Sequence, residues 1–501
     1  MITLSVEQLC NATEGNLKEG YASLSHTAAI TFSNVSTDTR TIKSNDLFIA
    51  LKGPSFDAHQ LLQSALDKGA SVLLVEANIP LNIPINSIVV EVEDTRIALG
   101  LLGRYVRLQI NSLKCAAITG SNGKTTCKEM LSSILTVHSG SADKVLATAG
   151  NFNNDIGLPL TLLRLEKQHQ FAVVELGANH IGEIAYTATL AKPDVALVNN
   201  VMPAHLEGFG SLEGVATAKS EIWSSLASDG IAVVNLDANF AADFVKQLQK
   251  KQQPFTGFSR ENDNNGMVDA DLFATELHSN DLGQSSFTLN VKTSVLLSHK
   301  QTQNESTNSL QNIQIQLNLP GKHNVSNALA ASAMALALGC SLNDIQQGLQ
   351  TLKEVAGRVN CSAISEKLTV IDDTYNANSA SVSAGIDLLA QYPSERLLIC
   401  GDMGELGRYA EQEHQTIGEY AQQHNIDRLF TVGNLSQQAT NAYNAASKNA
   451  GAEHFSDKQQ LKLAISAYLG SQKSKVVVLV KGSRSAKMEE IVAFIKQEFG
   501  A

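Results

Sequence analysis

The sequence predicts an α/β chain of three units. These are a small N-terminal α/β unit, a central unit built on a mostly parallel sheet, and a C-terminal doubly wound, Rossmann-like unit. Three observations predict it. Short apolar runs alternate with stretches of helical spacing between residues 114 and 235. A glycine-rich turn at 119–126 joins one of those runs to a helix. A second alternating series opens at Leu368, beyond a polar stretch. The 501 residues give room for about three domains. Boundaries are expected so that the units span 1–93, 94–319 and 320–501.

In the first unit, residues 46–51 read as a strand. Residues 58–68 have helical spacing, with Leu61, Leu62, Ala65 and Leu66 on one stripe. A second strand covers 71–75. Pro80 and Pro84 then break the pattern, and the segment up to Glu93 reads as an exit from the unit.

The central unit begins with a buried strand, Lys114–Thr119, that runs into the glycine turn. Met130, Leu131, Ile134 and Leu135 place a helix after it. Further strands are expected at 171–174, 195–198 and 230–235. This alternation is that of a parallel sheet with helices on its faces. Residues 259–316 are different, being rich in Asn, Gln and Ser with short alternating pieces such as 287–291. They read as a small antiparallel appendage, with 300–308 its most mobile part. Pro320-Gly321 marks the next boundary. Beyond it, strands are expected at 368–371, 396–400, 428–432 and 475–480, with helices between them.

The formal charge of −11 excludes a nucleic-acid groove as the main function, because phosphate backbones need clustered Lys and Arg. It leaves room for a phosphorylated small molecule bound by a local loop. None of the six cysteines forms a CxxC pair, so neither structural zinc nor a disulfide framework is supported. The first 20 residues have no basic start and no long apolar stretch, unlike a signal peptide. No apolar run approaches the ~20 residues that span a bilayer. A cytoplasmic protein without a membrane span is expected.

Thr119-Gly120-Ser121-Asn122-Gly123-Lys124-Thr125-Thr126 lies between a strand and a helix, the context a phosphate loop requires. Its glycines let backbone N–H groups turn inward, and the helix start adds partial positive charge. Lys124 is placed to reach outer phosphates, and the Thr125 hydroxyl to ligate Mg²⁺. Only two residues separate Gly120 from Gly123, where the general motif has four.

Glu175 ends an apolar strand at the edge where parallel sheets bind ligands, a place for a Mg²⁺ ligand. His205 follows the next strand and is either a second metal ligand or a satisfied structural residue. Lys219 lies on the apolar helix face formed by Leu212, Val215, Ala216, Ile222, Trp223 and Leu226. It is either a snorkelling lysine or a desolvated functional amine able to take up CO₂ as a carbamate. Asn324 caps a helix or reads an adenine edge. Arg358 clamps phosphate or is a surface charge. Asp372 and Asp373 end a strand with no obvious structural use and suit a ribose. The turn at 481–485 is a helix cap or an anion site.

These segments closely resemble the Mur ligases, the ATP-dependent amide-forming enzymes of peptidoglycan synthesis. The shortened loop at 119–126 is the form that family uses. The match also rests on residues 150–157 (GNFNNDIG), 175–180 (ELGANH), 204–210 (AHLEGFG), 372–378 (DDTYNAN), and on 38–40 and 46–51 near the start. It is weakest across 259–316. The resemblance implies three domains: one for a UDP moiety, a central P-loop ATPase domain, and one for the incoming amine. It implies ATP and Mg²⁺, with UDP-N-acetylmuramoyl-tripeptide and D-alanyl-D-alanine as substrates of a monomer. It leaves open whether diaminopimelate or lysine stands third in the peptide. Carried over by residue, it implies catalytic roles for Lys124, Lys219 and His205. Nucleotide contacts would come from Gly120, Ser121, Asn122, Gly123, Lys124, Thr125, Thr126, Asn324, Arg358 and Asp373. Metal ligands would be Thr125, Glu175, His205 and a carbamylated Lys219. Substrate contacts would be Thr39, Arg40, Asn154, Asn376 and Asn378. Two readings compete: a relative that adds a single amino acid or polyglutamylates folate, and a P-loop switch or transport ATPase.

Overall fold

The computed structural model describes all residues except 20, 22–29, 262–268, 281–282, 298–308, 354–355, 447–450 and 501. The first unit holds a five-stranded sheet in the order Asn16–Leu17, Val89–Val92, Ala70–Glu76, Asp46–Ile49, Val35–Ser36. All neighbours run parallel except the first pair. The strand Val89–Val92 corrects the expectation that the chain leaves the unit after Pro84. The two prolines only turn it, and Val89, Val90 and Val92 are then buried inside the sheet.

Alternate side chains of these strands face opposite ways. Phe48, Leu73 and Val75 pack beneath Ala58, Leu62 and Ala65. Leu47, Leu74 and Val90 join a larger cluster with Leu99, Leu102 and Val106 of the helix Thr95–Leu108. That cluster continues into Cys115, Ala117 and Val174 of the central sheet, so the first two units share one core.

The central sheet has nine strands. Their order is Leu310–Pro320, Gln284–Lys292, Leu272–Ser279, Phe255–Ser259, Ile231–Asn235, Val195–Val198, Lys114–Thr119, Phe171–Glu175, Val145–Ala147. The parallel part carries near-continuous apolar runs because both its faces are covered. The three strands of the 259–316 stretch pair antiparallel with one another as expected, but the first joins Phe255–Ser259 in parallel, so the stretch is no appendage. Its strands extend the sheet, and Phe287, Leu289 and Val291 point into the core that holds Ile134 and Leu135. The period-2 alternation of those residues is the physical reason. Residues 300–308, expected to be mobile, lie outside the described residues.

Pro320-Gly321 is a strand-to-helix turn within the central unit, not a boundary. The helices Lys322–Ala337 and Leu342–Gln350 bury Val325, Leu329, Met334, Ile345 and Leu349 in the same core. The last residue packed there is Leu352. The alanine-rich helix is buried nearly all round, which marks it as an interior element.

The last unit has six strands in the order Asn360–Ser365, Leu368–Asp373, Val476–Lys481, Glu395–Gly401, Arg428–Val432, Ala452–Phe455. All pairs are parallel except the first. Separate apolar cores cover its two faces. The carboxyl ends of its strands meet the glycine turn of the central unit, and the site lies between them.

Candidate functional site

The strand Lys114–Thr119 ends at Gly120, and the helix Lys124–Ser139 starts after Gly123. Both glycines have positive φ, +153° and +79°. A Cβ on Gly123 would also collide with the side-chain amides of Asn327 and Asn199, so only glycine fits there. Asparagine side chains tether the turn. Asn122 N donates to Asn200 Oδ1 at 2.9 Å, and Asn122 O accepts from Asn199 Nδ2 and Asn200 Nδ2, each at 3.0 Å. Ser121 N donates to Asn200 O at 3.1 Å, and Ser121 Oγ to Met202 O at 2.9 Å.

The amides of Ser121 and Asn122 are therefore engaged within the protein, which narrows the expectation that the loop's own N–H groups face the ligand. The donors left for an anion are those of the first helical turn, which have no intrahelical partner. Sequence reasoning missed Asn199, Asn200 and Asn327. The signal was present: Asn199-Asn200 directly follows the strand Val195–Val198, at the carboxyl edge where ligands bind.

Around the turn the charges are unbalanced. The Lys124 side chain is half-buried, with Nζ donating to Gly120 O at 2.6 Å. Thr125 Oγ1 donates to Glu175 Oε2 at 3.3 Å. Glu175 is 2% exposed, and its Oε1 has no hydrogen-bond donor. The nearest cation to that oxygen is Lys128 Nζ at 3.6 Å.

Arg358 comes from the C-terminal unit. Its Nη2 donates to Thr125 Oγ1 at 3.3 Å, its guanidinium stacks 4.1 Å above the Tyr375 ring, and its buried Nε has no partner. Lys219 is 3% exposed and has no hydrogen-bond or ion-pair partner among the described residues. Burial first, and the Lys124 charge second, push its amine well below the usual lysine range. Burial likewise lowers Lys124; Glu175 opposes that shift and Arg358 adds to it.

Lys124 and Arg358 thus lie beside one carboxylate that Lys128 already faces, and Lys219 adds a potential cation next to Lys124. Such a site is short of negative charge and suits a polyanion. No three His, Cys, Asp or Glu side chains converge on a metal position among the described residues. The Thr125 hydroxyl and the orphaned Glu175 oxygen are nevertheless hard donors of the kind Mg²⁺ takes, alongside phosphate oxygens and water.

The other expected residues fall in several places. His205, in a left-handed conformation, pairs through Nδ1 with Glu405 of the C-terminal unit at 2.7 Å and makes no hydrogen bond to Thr125 or Glu175. Thr126 is buried in the first helical turn. Asn324 is buried, donating to Pro320 O at 2.8 Å and accepting from Asn327 at 3.0 Å.

The paired acids do have structural uses. Asp372 accepts from the Thr374 hydroxyl at 2.6 Å, and Asp373 forms a buried ion pair with Lys481 at 2.5 Å. That pairing removes Lys481 from the expected anion site. Asn376 is exposed. Asn378 caps the helix Ser379–Ala390 and shares two amide hydrogen bonds with Asn122.

Asn154 closes a turn by accepting from Gly157 N at 2.8 Å. Thr39 and Arg40 follow the strand Val35–Ser36 in the first unit. There the Arg40 guanidinium hydrogen-bonds the Asp38 carboxyl and pulls it down to about 2. Thr39, Arg40 and Asn154 make no hydrogen bond to the glycine turn among the described residues.

Comparison with known proteins follows this geometry. Residues 118–335 match the Mur ligase middle domain, and residues 357–484 match the Mur ligase, glutamate ligase domain. The UDP-N-acetylmuramoyl-tripeptide–D-alanyl-D-alanine ligase of Escherichia coli is 40% identical over 497 residues, 99% of either chain. A crystal structure of MurF from Acinetobacter baumannii superposes with a TM-score of 0.85 at 34% identity, covering 99% of both chains. That of MurF ligase from Thermotoga maritima in complex with ADP has a TM-score of 0.74 at 26% identity, covering 93% of this chain and 97% of the other.

Proposed function

The chain belongs to the Mur ligase family, and on that premise we propose that it joins D-alanyl-D-alanine to UDP-N-acetylmuramoyl-tripeptide with the use of ATP. This is an ATP-dependent amide-forming reaction of peptidoglycan synthesis that releases ADP and phosphate. The terminal carboxylate of the tripeptide attacks the γ-phosphorus, ADP leaves, and an acyl phosphate forms. The dipeptide amine attacks the acyl carbon, and the tetrahedral intermediate expels phosphate as the amine loses its proton.

The physical obstacle is the approach of a carboxylate to a triphosphate, two anions in a partly dry cleft. The observation that carries the reading is the approach of Lys124 and Arg358, from two units, to the Thr125–Glu175 couple, with Lys219 next to Lys124. Lys124 and the first-turn amides neutralise the phosphates, and Arg358 adds its charge only when the C-terminal unit is seated. Mg²⁺ held by Thr125 and Glu175 would supply further charge neutralisation there, with His205 a further ligand once it exchanges its Glu405 partner.

The uncharged Lys219 amine is suited to bond to CO₂ with loss of a proton. The carbamate so formed provides the anion this cation-rich site lacks. Asn324 and Asp373 act through their buried ties, fixing the loop and turn that face adenine and ribose. Thr39, Arg40 and Asn154 serve the UDP-linked substrate, and the exposed Asn376 serves the dipeptide. No helix among the described residues is long and apolar enough to cross a membrane. The protein works as a monomer in the cytoplasm, where its nucleotide substrates are.

A mass spectrum of the product made from ATP, UDP-muramoyl tripeptide and D-alanyl-D-alanine tests this reading. The pentapeptide mass is expected, and it also reports which diamino acid was present. Phosphate release stimulated only by glutamate or a single diamino acid would overturn the substrate assignment. Hydrolysis indifferent to any muramoyl peptide would overturn the ligase itself.

A further inference from the structure

Resting on that reading, we propose that Asn122 and Asn378 form a clasp that locks the C-terminal unit onto the phosphate loop and so protects the acyl phosphate from water. Asn122 Nδ2 donates to Asn378 Oδ1 at 3.2 Å, and Asn378 Nδ2 donates to Asn122 Oδ1 at 2.8 Å. Each amide thus uses both its donor and its acceptor on the other, across 256 residues of chain.

Both ends are rigid. The Asn122 backbone is tethered on either side of its Cα by Asn199 and Asn200. Asn378 is fixed by a capping box, accepting from Ser381 N at 2.9 Å while its own N–H donates to Ser381 Oγ at 3.0 Å. Two short side chains on fixed supports meet at only one separation of loop and helix. The pair therefore forms in the seated arrangement and in no other.

Its place matters. Asn122 is one residue from Gly123 and three from Thr125, the hydroxyl that Arg358 contacts from the same C-terminal unit. The clasp and the arginine consequently engage together. The clasp joins two neutral amides, so it is indifferent to the charge that changes during phosphoryl transfer. It can release after turnover without separating an ion pair. This assigns Asn378 to positioning and not to contact with the dipeptide.

The consequence is chemical. In the seated state the dipeptide amine attacks the acyl carbon, and the carbon–oxygen bond to phosphate breaks. In an unseated state water attacks the same carbon, restoring the tripeptide carboxylate and releasing phosphate with no amide formed. Loss of the clasp should therefore uncouple ATP use from amide formation.

The test measures phosphate released per pentapeptide formed for the wild type, Asn122→Ala, Asn378→Asp and the double variant. Aspartate caps a helix as well as asparagine does, so Asn378→Asp keeps the capping role while its carboxylate turns an oxygen, not a donor, toward Asn122 Oδ1. The expected ratio is near one for the wild type and several-fold higher in each single variant. The double variant should be no worse than the singles, because the pair acts as one device. Fluorescence transfer between labels on the central and C-terminal units, with ATP and tripeptide bound, should shift toward wider separation in all three. Ratios that stay at the wild-type value, or effects that add, overturn the clasp. So does a raised KM for D-alanyl-D-alanine in Asn378→Asp that Asn122→Ala does not share. A wild-type protein that forms no pentapeptide overturns the functional reading and the clasp with it, and that result is distinct from any change in ratio.

Discussion

A buried lysine without a partner is costly, and Lys219 is one: 3% exposed, facing the Lys124 charge, with no carboxylate beside it. Desolvation penalises its cation, so the neutral amine is the form the fold favours. Lys219 keeps only 3% of its surface exposed and meets no carboxylate there. Replacing it by alanine removes the amine and the anion proposed to form on it. We expect Lys219→Ala to lower activity by roughly 10- to 100-fold, the range for losing a group that supports a metal site. Added formate or acetate should restore part of that activity by standing in for the missing carboxylate. An alanine variant with full activity, measured as pentapeptide formed per second, would return Lys219 to a packing role.

At the scale of elements, the Leu368–Asp373 and Val476–Lys481 strands run side by side, and their last residues form the buried Asp373–Lys481 pair. Removing one partner strands a charge in the interior, which costs about 3–5 kcal/mol. Asp373→Ala should therefore lower the denaturant midpoint, and adding Lys481→Met to that variant should recover part of the loss. If Asp373 served only a ribose, its removal would raise the KM for ATP and leave the midpoint in place.

The same pair shows what the sequence could and could not reveal. Two acids at a strand end were visible, but the partner of Asp373 lies 108 residues away. The glycine turn, Glu175 and Lys219 were legible because each depends on local spacing: strand to turn, strand to edge, one helix face. Asn199 and Asn200 stood in view at a strand's carboxyl end, but that they and Asn327 tether the turn depends on strand order and helix packing and was not legible. The antiparallel sheet edge was half legible: alternation at Phe287, Leu289 and Val291 announced strands, while polar neighbours disguised their place in the core. Pro320-Gly321 misled because proline followed by glycine looks like a linker, although here it turns a strand into a buried helix.

Over the whole molecule, the apolar clusters divide the chain differently from the three units. One cluster runs from Leu47 and Val90 through Leu99 to Ala117 and Val174, binding the first unit to the central sheet. The C-terminal unit has its own two. Among the described residues, the contacts that join it at the site, Arg358–Thr125, Asn378–Asn122 and Glu405–His205, are polar, and Tyr409 adds a partly buried side chain against the first cluster. Interfaces of that kind inside a chain permit relative motion and unfold independently. We therefore expect calorimetry of the ligand-free protein to show two transitions, one for residues 1–352 and one for the unit beyond. On the proposed function, ATP with the UDP-linked tripeptide would contact both sides of the boundary. At about a hundred times its dissociation constant, a ligand of the seated state adds about 2.7 kcal/mol. The two transitions should then move upward and toward each other. One sharp ligand-free transition would mean that the C-terminal unit is held by more than this small set of contacts, and that seating it is not a separate step of the reaction.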